Sequence, residues 1–348
     1  MNQSFSQKLK GFLKSWEMVL ICILVAEFVI FGAANDKFLR PAMLFNSMND
    51  FMSICIISLF VTFVMITGGI DIQAGSIVGL TSIIIGVTWQ DFGFNIWAAA
   101  GFALLIAVIC GALSGFFVAY CGVQAMVVTL GGSFLYSGIA LLVSNMASTE
   151  SYQGISGFPD NFKILSKYKL FGLIPSQLLI FIVLVIIAYL LLHRSKYGRR
   201  IFLVGVNQQA AEYSGINSRL VIMSTYMLSA ASAAIAGIVL TAYLGSAKCD
   251  LGSNFTLNII TAVVLGGTLS TGGKGNVIGT ALCFFGNRTS SFWPSALLQD
   301  RNPVPGYSGR YPASGSSRRK SNGSKSGNGW FLRKTEEKRS IKYLLFHM

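Results

Sequence analysis

The sequence predicts an all-α polytopic membrane protein with about 8–9 transmembrane helices, some interrupted by glycine. Three observations carry that expectation. Of 348 residues only 11% are charged and 53% are apolar, with a mean hydropathy of +0.61. An ordinary soluble domain carries about 25% charged residues, so there is too little polar surface here to coat a water-soluble particle. From Phe92 to Thr149 there is no Asp, Glu, Lys, Arg or His, and Leu170–Leu192, Leu220–Ala247 and Leu251–Gly273 are uncharged as well. A spanning helix needs about 20 mainly apolar residues, so each run holds at least one span. Soluble enzymes and nucleic-acid binders are excluded for this body.

The first span, near 17–34, follows Lys8, Lys10 and Lys14 and ends in Gly32, Ala33 and Ala34, the outline of a secretory signal. Glu27 inside it, and the membrane character of everything after it, favour a retained anchor. Further spans fall near 49–67, 75–90, 95–120, 125–146, 174–192, 220–244 and 256–270, and another starts at Asn276. Orientation follows from the Lys/Arg asymmetry of the loops. The basic N-terminus and the loop His193–Arg219, with Arg194, Lys196, Arg199, Arg200 and Arg219 against Glu212, are separated by six spans. Both are therefore expected on the cytoplasmic side, and the loop Glu150–Lys169 outside, despite its Lys163, Lys167 and Lys169.

Basicity is concentrated at one end. Residues 286–348 hold 12 Lys/Arg against 3 Asp/Glu, which is +9 of the chain's +14. They also hold 11 serines and four of the seven prolines, a composition that cannot bury a core and is expected to be disordered. Residues 1–285 then form the transmembrane domain. The six cysteines (Cys22, Cys55, Cys110, Cys121, Cys249, Cys283) have no paired spacing, and the chain has only His193 and His347. Neither a disulfide scaffold nor a metal site is expected, and no cofactor.

Glycine interrupts the apolar pattern twice. Thr67-Gly68-Gly69-Ile70-Asp71-Ile72-Gln73-Ala74-Gly75-Ser76 is one break and Thr271-Gly272-Gly273-Lys274-Gly275-Asn276 the other. Similar helix starts follow, Gly75-Ser76-Ile77-Val78-Gly79 and Gly275-Asn276-Val277-Ile278-Gly279, as in an internal duplication. Paired, glycine-interrupted segments mark the pathway in many transporters, so Gly68, Gly69, Asp71, Gly75, Ser76, Gly272 and Gly273 are pathway-lining candidates. Helix packing or tight turns account for the same glycines without a pathway. If buried, Asp71 needs a partner, which helix-start amides at Gly75 and Ser76 would supply; at the rim it is an ordinary solvated acid. Glu27 poses the same question, answered there by a hydrogen bond at a helix contact.

No catalytic machinery is legible. A Walker A loop needs G-x-x-x-x-G-K-[ST], but Thr268 stands where the first glycine belongs and Gly275 where the Ser/Thr belongs. There is no nucleophile–base set and no HExxH. Ionisable groups placed to bind a coupling proton or sodium in the membrane are limited to Glu27 and, if it is buried, Asp71. That favours an external energy source over an ion-coupled secondary carrier, the competing class. The loop Gly198-Arg199-Arg200…Asn207-Gln208-Gln209-Ala210-Ala211-Glu212-Tyr213-Ser214-Gly215 reads as a short helix with small residues on one surface, capped at Asn207 and stopped at Gly215. Such an element either docks in a groove of a soluble partner or is a plain surface connector.

Three stretches together resemble the ribose-type permeases of bacterial ABC importers. They are Gly68-Gly69-Ile70-Asp71…Gly75-Ser76, Gly198-Arg199…Gly205-x-Asn207-x-x-Ala210-Ala211…Gly215-Ile216, and Ala262-Val263-Val264-Leu265-Gly266-Gly267…Gly272-Gly273-x-Gly275…Gly279-Thr280. Glu27…Phe31-Gly32-Ala33-Ala34-Asn35, Gly154–Pro159 and Tyr243–Gly252 are similar to the autoinducer-2 branch of that family. The resemblance implies a bacterial inner-membrane permease subunit paired with a sister permease, most simply as a heterodimer. It also implies two cytoplasmic ATP-binding subunits, a periplasmic sugar-type binding protein and no ATP site of its own. The implied solute is autoinducer-2, with ribose- or rhamnose-like sugars as the alternative. Gly198, Arg199, Asn207, Ala210, Ala211 and Gly215 become, by the same resemblance, candidates for coupling to the ATPase. Relatives continue in apolar helix, about ten spans in all, whereas here apolar character stops at Phe285. The tail reads either as the product of a shifted frame or as a polybasic segment lying on anionic lipid.

Overall fold

The computed structural model describes residues 16–34, 41–149, 153–170, 172 and 174–282. The tail 286–348, Cys283 and the side chain of Glu27 lie outside the described residues.

Helix α1 (Trp16–Ala34) and α2 (Pro41–Ile66) lead to the first break. After it come α3 (Ala74–Gln90), α4 (Ile96–Ala119) and α5 (Ala125–Met146). The next connection carries β1 (Ile155–Ser156), α6 (Asp160–Lys167), β2 (Lys169–Leu170) and β3 (Ile174–Pro175). Helix α7 (Ser176–Tyr189) ends in a π-helical turn, Leu190–Arg194. Two short helices, α8 (Lys196–Val206) and α9 (Gln208–Tyr213), precede α10 (Ser218–Leu244), β4 (Ser246–Ala247) and α11 (Phe255–Leu265). Residues 277–282 are helical again.

Among the described residues, 96–119, 125–146, 176–194 and 218–244 are long and apolar enough to cross a membrane, and 51–66, 74–90 and 255–265 are shorter apolar helices. Burial explains the division of labour. From Met52 to Ile66, and from Ala74 to Thr88, nearly every residue is buried. Helices apolar on all sides belong in the interior of a bundle, so α2 and α3 form the centre with α10. Helices α4, α5 and α7 each keep an exposed apolar face, including Leu105, Ile109, Phe134, Leu142, Ile182 and Ile186.

Helices α4 and α10 cross through Gly111 and Gly115. A Cβ at Gly111 would lie 2.6 Å from Tyr226 O, and one at Gly115 would lie 2.9 Å from Met223 Cα. The pair is a small-xxx-small contact, in which backbones meet without side chains between them.

The sequence pattern missed one feature. The loop 153–175 is folded, not merely exposed. Strand β1 pairs antiparallel with β4 (Ile155 with Ala247, Ser156 with Ser246), and β2 pairs with β3. Trp89, Phe158, Phe162 and Trp97 pack in series, tilted or edge-on, at centroid distances of 5.0, 5.5 and 6.0 Å. Together with the Ser166 Oγ–Val239 O hydrogen bond at 2.7 Å, they pin α6 onto the ends of α3, α4 and α10.

Two boundaries also move. The second helix begins at Pro41, eight residues before the expected 49. The span expected over 256–270 stops at Leu265, because Gly266 and Gly267, the latter at φ +87°, turn the chain before it reaches the second break.

Candidate functional site

The first break is a buried polar turn inside the bundle. Asp71 is 1% exposed. Its Oδ1 accepts from Gln73 N–H at 3.1 Å, the Ala74 amide is a further partner, and its Oδ2 accepts from Ser229 Oγ on α10 at 2.6 Å. The carboxylate thus caps α3 from the residues that open it. The amides are those of Gln73 and Ala74, not the expected Gly75 and Ser76: a carboxylate folding back on its own turn reaches amides two and three residues ahead.

The carbonyls freed by the break are taken up by neighbouring helices. Thr129 Oγ1 donates to Ile70 O at 2.9 Å, and Thr256 Oγ1 to Ile72 O at 3.1 Å. Gln73 Oε1 accepts from Ser114 Oγ at 2.7 Å, and Ser114 Oγ lies 3.1 Å from Tyr136 Oη, which donates to Cys110 O. Broken backbone at membrane depth needs such satisfaction.

Two buried groups near the turn, Gln73 Nε2 and Tyr226 Oη, have no partner among the described residues. The Tyr226 hydroxyl lies against Gly69, leaving no room for a side chain there. Gly75 likewise packs on Gly252 O and Thr256. Ser76 Oγ meets Ser133 Oγ at 2.8 Å and accepts from Ser137 Oγ at 2.9 Å, on a side of α5 that reaches the molecular surface at Ser137. Ser133 and Ser137 lie midway along α5, so α3 starts level with the middle of that helix.

The remaining pathway candidates sit elsewhere. Gly68, Gly272 and Gly273 meet where α2 ends. A Cβ on Gly272 would lie 3.0 Å from both Gly68 N and Ile66 O, and 3.1 Å from Gly205 O. Gly273 N–H donates to Ile66 O at 2.8 Å. Gly68 and Gly272 have φ of +84° and +87°, a conformation side chains rarely adopt. The two breaks predicted from sequence are thus in direct backbone contact.

The loop candidates form a third group. Ser195 Oγ accepts from Gly198 N–H and caps α8, and Asn207 Oδ1 accepts from Ala210 N–H at 3.0 Å and caps α9. Gly215 follows α9 with φ +79°. Arg199, Asn207, Ala210 and Gly215 are exposed, whereas Gly198 and Ala211 are buried, so the small residues of α9 do not share one surface. A groove of about 220 Å³ beside α9 is lined by Phe202, Leu203, Ala210 and Ser214 among others.

A family model described as "Branched-chain amino acid transport system / permease component" matches residues 43–286, which include both breaks and the α8–α9 loop. The chain belongs to this permease family.

Among relatives of the permease, the Autoinducer 2 import system permease protein LsrD of Klebsiella pneumoniae subsp. pneumoniae is 41% identical over 268 residues, covering 77% of this chain and 80% of that protein. Those of Photorhabdus luminescens and Yersinia enterocolitica are 42% and 41% identical over 267 residues, with the same coverage. No solved structure matches the permease.

Sequence reasoning missed Gln73, Ser114, Thr129, Ser133, Tyr136, Ser137, Tyr226 and Ser229. A signal was available on α5: Thr129, Ser133 and Ser137 recur every four residues and so lie on one helix face.

Proposed function

We propose that this permease is one membrane subunit of an ATP-driven importer of autoinducer-2 in a bacterial inner membrane. The observation that carries the reading is the 41–42% identity to permeases named for autoinducer 2 import, which extends over 77% of the chain. Its partners are separate ATP-binding subunits, a sister permease forming a heterodimer, and a periplasmic sugar-type binding protein. Hydrolysis belongs to the ATP-binding subunits, because the Gly273-Lys274 stretch lacks the Walker A residues. The N-terminus and the α8–α9 segment face the cytoplasm.

Gly69, Asp71, Gly75 and Ser76 line or support the pathway. The hydroxyls around Ser76 offer neutral donors and acceptors suited to a polyhydroxylated solute. The α9 segment seats in an ATP-binding subunit, and ATP-driven closure of those subunits moves it and reopens the pathway on the other side. Residues 286–348 lie outside the permease domain, a boundary supported by the family match ending at residue 286. A shifted frame past codon 283 explains them, and an apolar continuation in another frame of the gene is the expected finding.

Right-side-out vesicles containing the assembled importer test the reading. Autoinducer-2 uptake is expected to follow internal ATP and to persist when a protonophore collapses the proton gradient. Uptake that follows the gradient instead identifies a secondary carrier. In detergent, Ala210→Arg is expected to release the ATP-binding subunit while the permease still inserts. Ala210 is the better choice for that test because Ala211 is only 4% exposed.

A further inference from the structure

Helix α8 is fixed at both ends by glycines on one face. Gly198 and Gly205 are seven residues apart, about 10 Å along the axis and on the same side of the helix. A Cβ at Gly198 would run into Leu192 O in the π-helical turn, with Leu191 O 2.8 Å away. A Cβ at Gly205 would run into Ile66 O, with Gly273 N 2.8 Å away. Ile66 O is also the acceptor for Gly273 N–H, so one carbonyl joins the end of α2, the second break and α8. Val206 adds a packing contact, its Cγ2 lying 3.0 Å from the Cβ position of Gly273. At the other end, His193 of the π-helical turn hydrogen-bonds Asn276, the residue just before helix 277–282. On the opposite face of α8, Lys196, Arg200 and Leu203 are exposed, and Tyr213 at the end of α9 is 92% exposed.

Side chains absorb small displacements by changing rotamer, but backbone packed on backbone has no such layer and passes a displacement on. Gly205 therefore sits where movement of α8 reaches both breaks, through Ile66 to Gly68 and through Gly273 to Asn276.

We infer that α8 is a rigid strut that delivers the stroke of the α9 segment to both glycine breaks at once, with Gly205 as the positioning residue at the junction. The inference rests on the coupling role proposed for α9.

The test uses the full importer, co-expressed with its ATP-binding subunits and sister permease and reconstituted in proteoliposomes with autoinducer-2. With Gly205→Ala the ATP-binding subunit still co-purifies and ATP hydrolysis stays at the unmutated level. Uptake per ATP falls about tenfold or more, in the range of allosteric coupling free energies. Unchanged uptake per ATP overturns the strut.

Gly205→Ala also loads the fold, so a second arm keeps every glycine in place. Val206→Cys and Lys274→Cys, in a background without native cysteines, are joined by a short thiol cross-linker. Because the two segments travel together, uptake after cross-linking is expected to match the uncross-linked sample. A loss of about tenfold means that they slide past one another in the cycle, and overturns the proposal. Failure of the underlying coupling reading shows separately, as an ATP-binding subunit that stays bound to Ala210→Arg, and it takes the strut with it.

Discussion

The two glycine breaks share a sequence pattern and differ in what they enclose. The first wraps a carboxylate 1% exposed, tied to the amides of Gln73 and Ala74 and to a hydroxyl on α10. The second carries an exposed Lys274 and makes its principal long-range contact through main chain, Gly273 N–H to Ile66 O. The helices that follow pack alike: a Cβ at Gly79 would strike Cys249 O, and one at Gly279 would strike Gly266 O. A common backbone motif thus supports a buried carboxylate at one site and a main-chain contact with the end of α2 at the other. The glycines specify close approach, and the residues between them specify the job.

The largest expected effect comes from removing the charge that separates the two. Asp71→Ala strands the Ser229 hydroxyl and the Gln73 amide in a buried site, at about 1–3 kcal/mol for each unsatisfied group. Thermal unfolding in detergent should show a clear loss of stability, and Asp71→Asn should recover part of it by keeping an acceptor. An Asp71→Ala protein as stable as the parent would mean that the first break does not depend on its carboxylate.

The shared part of the motif predicts a smaller and symmetrical effect. Gly79→Ala and Gly279→Ala each force a methyl against a carbonyl, and overpacking of this kind costs about 1–3 kcal/mol. Similar losses in the two variants would support equivalent packing, whereas a loss at one alone would break the equivalence.

The smallest effects sharpen the contrast in polarity. Ser76→Ala removes hydrogen bonds to Ser133 and Ser137 and is expected to cost about 0.6 kcal/mol for each, the mean for side-chain hydrogen bonds between membrane helices. Lys274→Ala, at an exposed position, should stay within about 0.5 kcal/mol of the parent.

The fold was legible in the sequence where a single local signal decides an element. The uncharged runs located α4, α5, α7 and α10 because desolvating a charge in the bilayer is costly. Asn207 and Gly215 bracketed α9 because a cap and a stop act within a few residues. Asp71 and the double glycines marked the breaks for the same reason.

What the sequence concealed depends on distant partners. Strand β1 exists only against β4, about 90 residues later, and two-residue strands carry no periodicity to read. The choice of Ser229 as Asp71's partner, and the meeting of Gly205 with Ile66 and Gly273, are products of packing that no local pattern encodes. The buried position of Ala211 escaped notice because a helix of six residues, under two turns, has no repeat to define its inner face.

The Asp71–Ser229 hydrogen bond joins residues 158 positions apart. Ribosomal synthesis therefore delivers the acid well before the α10 hydroxyl that completes its shell. In the interval only the amides of Gln73 and Ala74, made within moments of it, are at hand to hold the carboxylate. The late arrival of α10 then closes the interior, so the order of manufacture is built into the way this carboxylate is held.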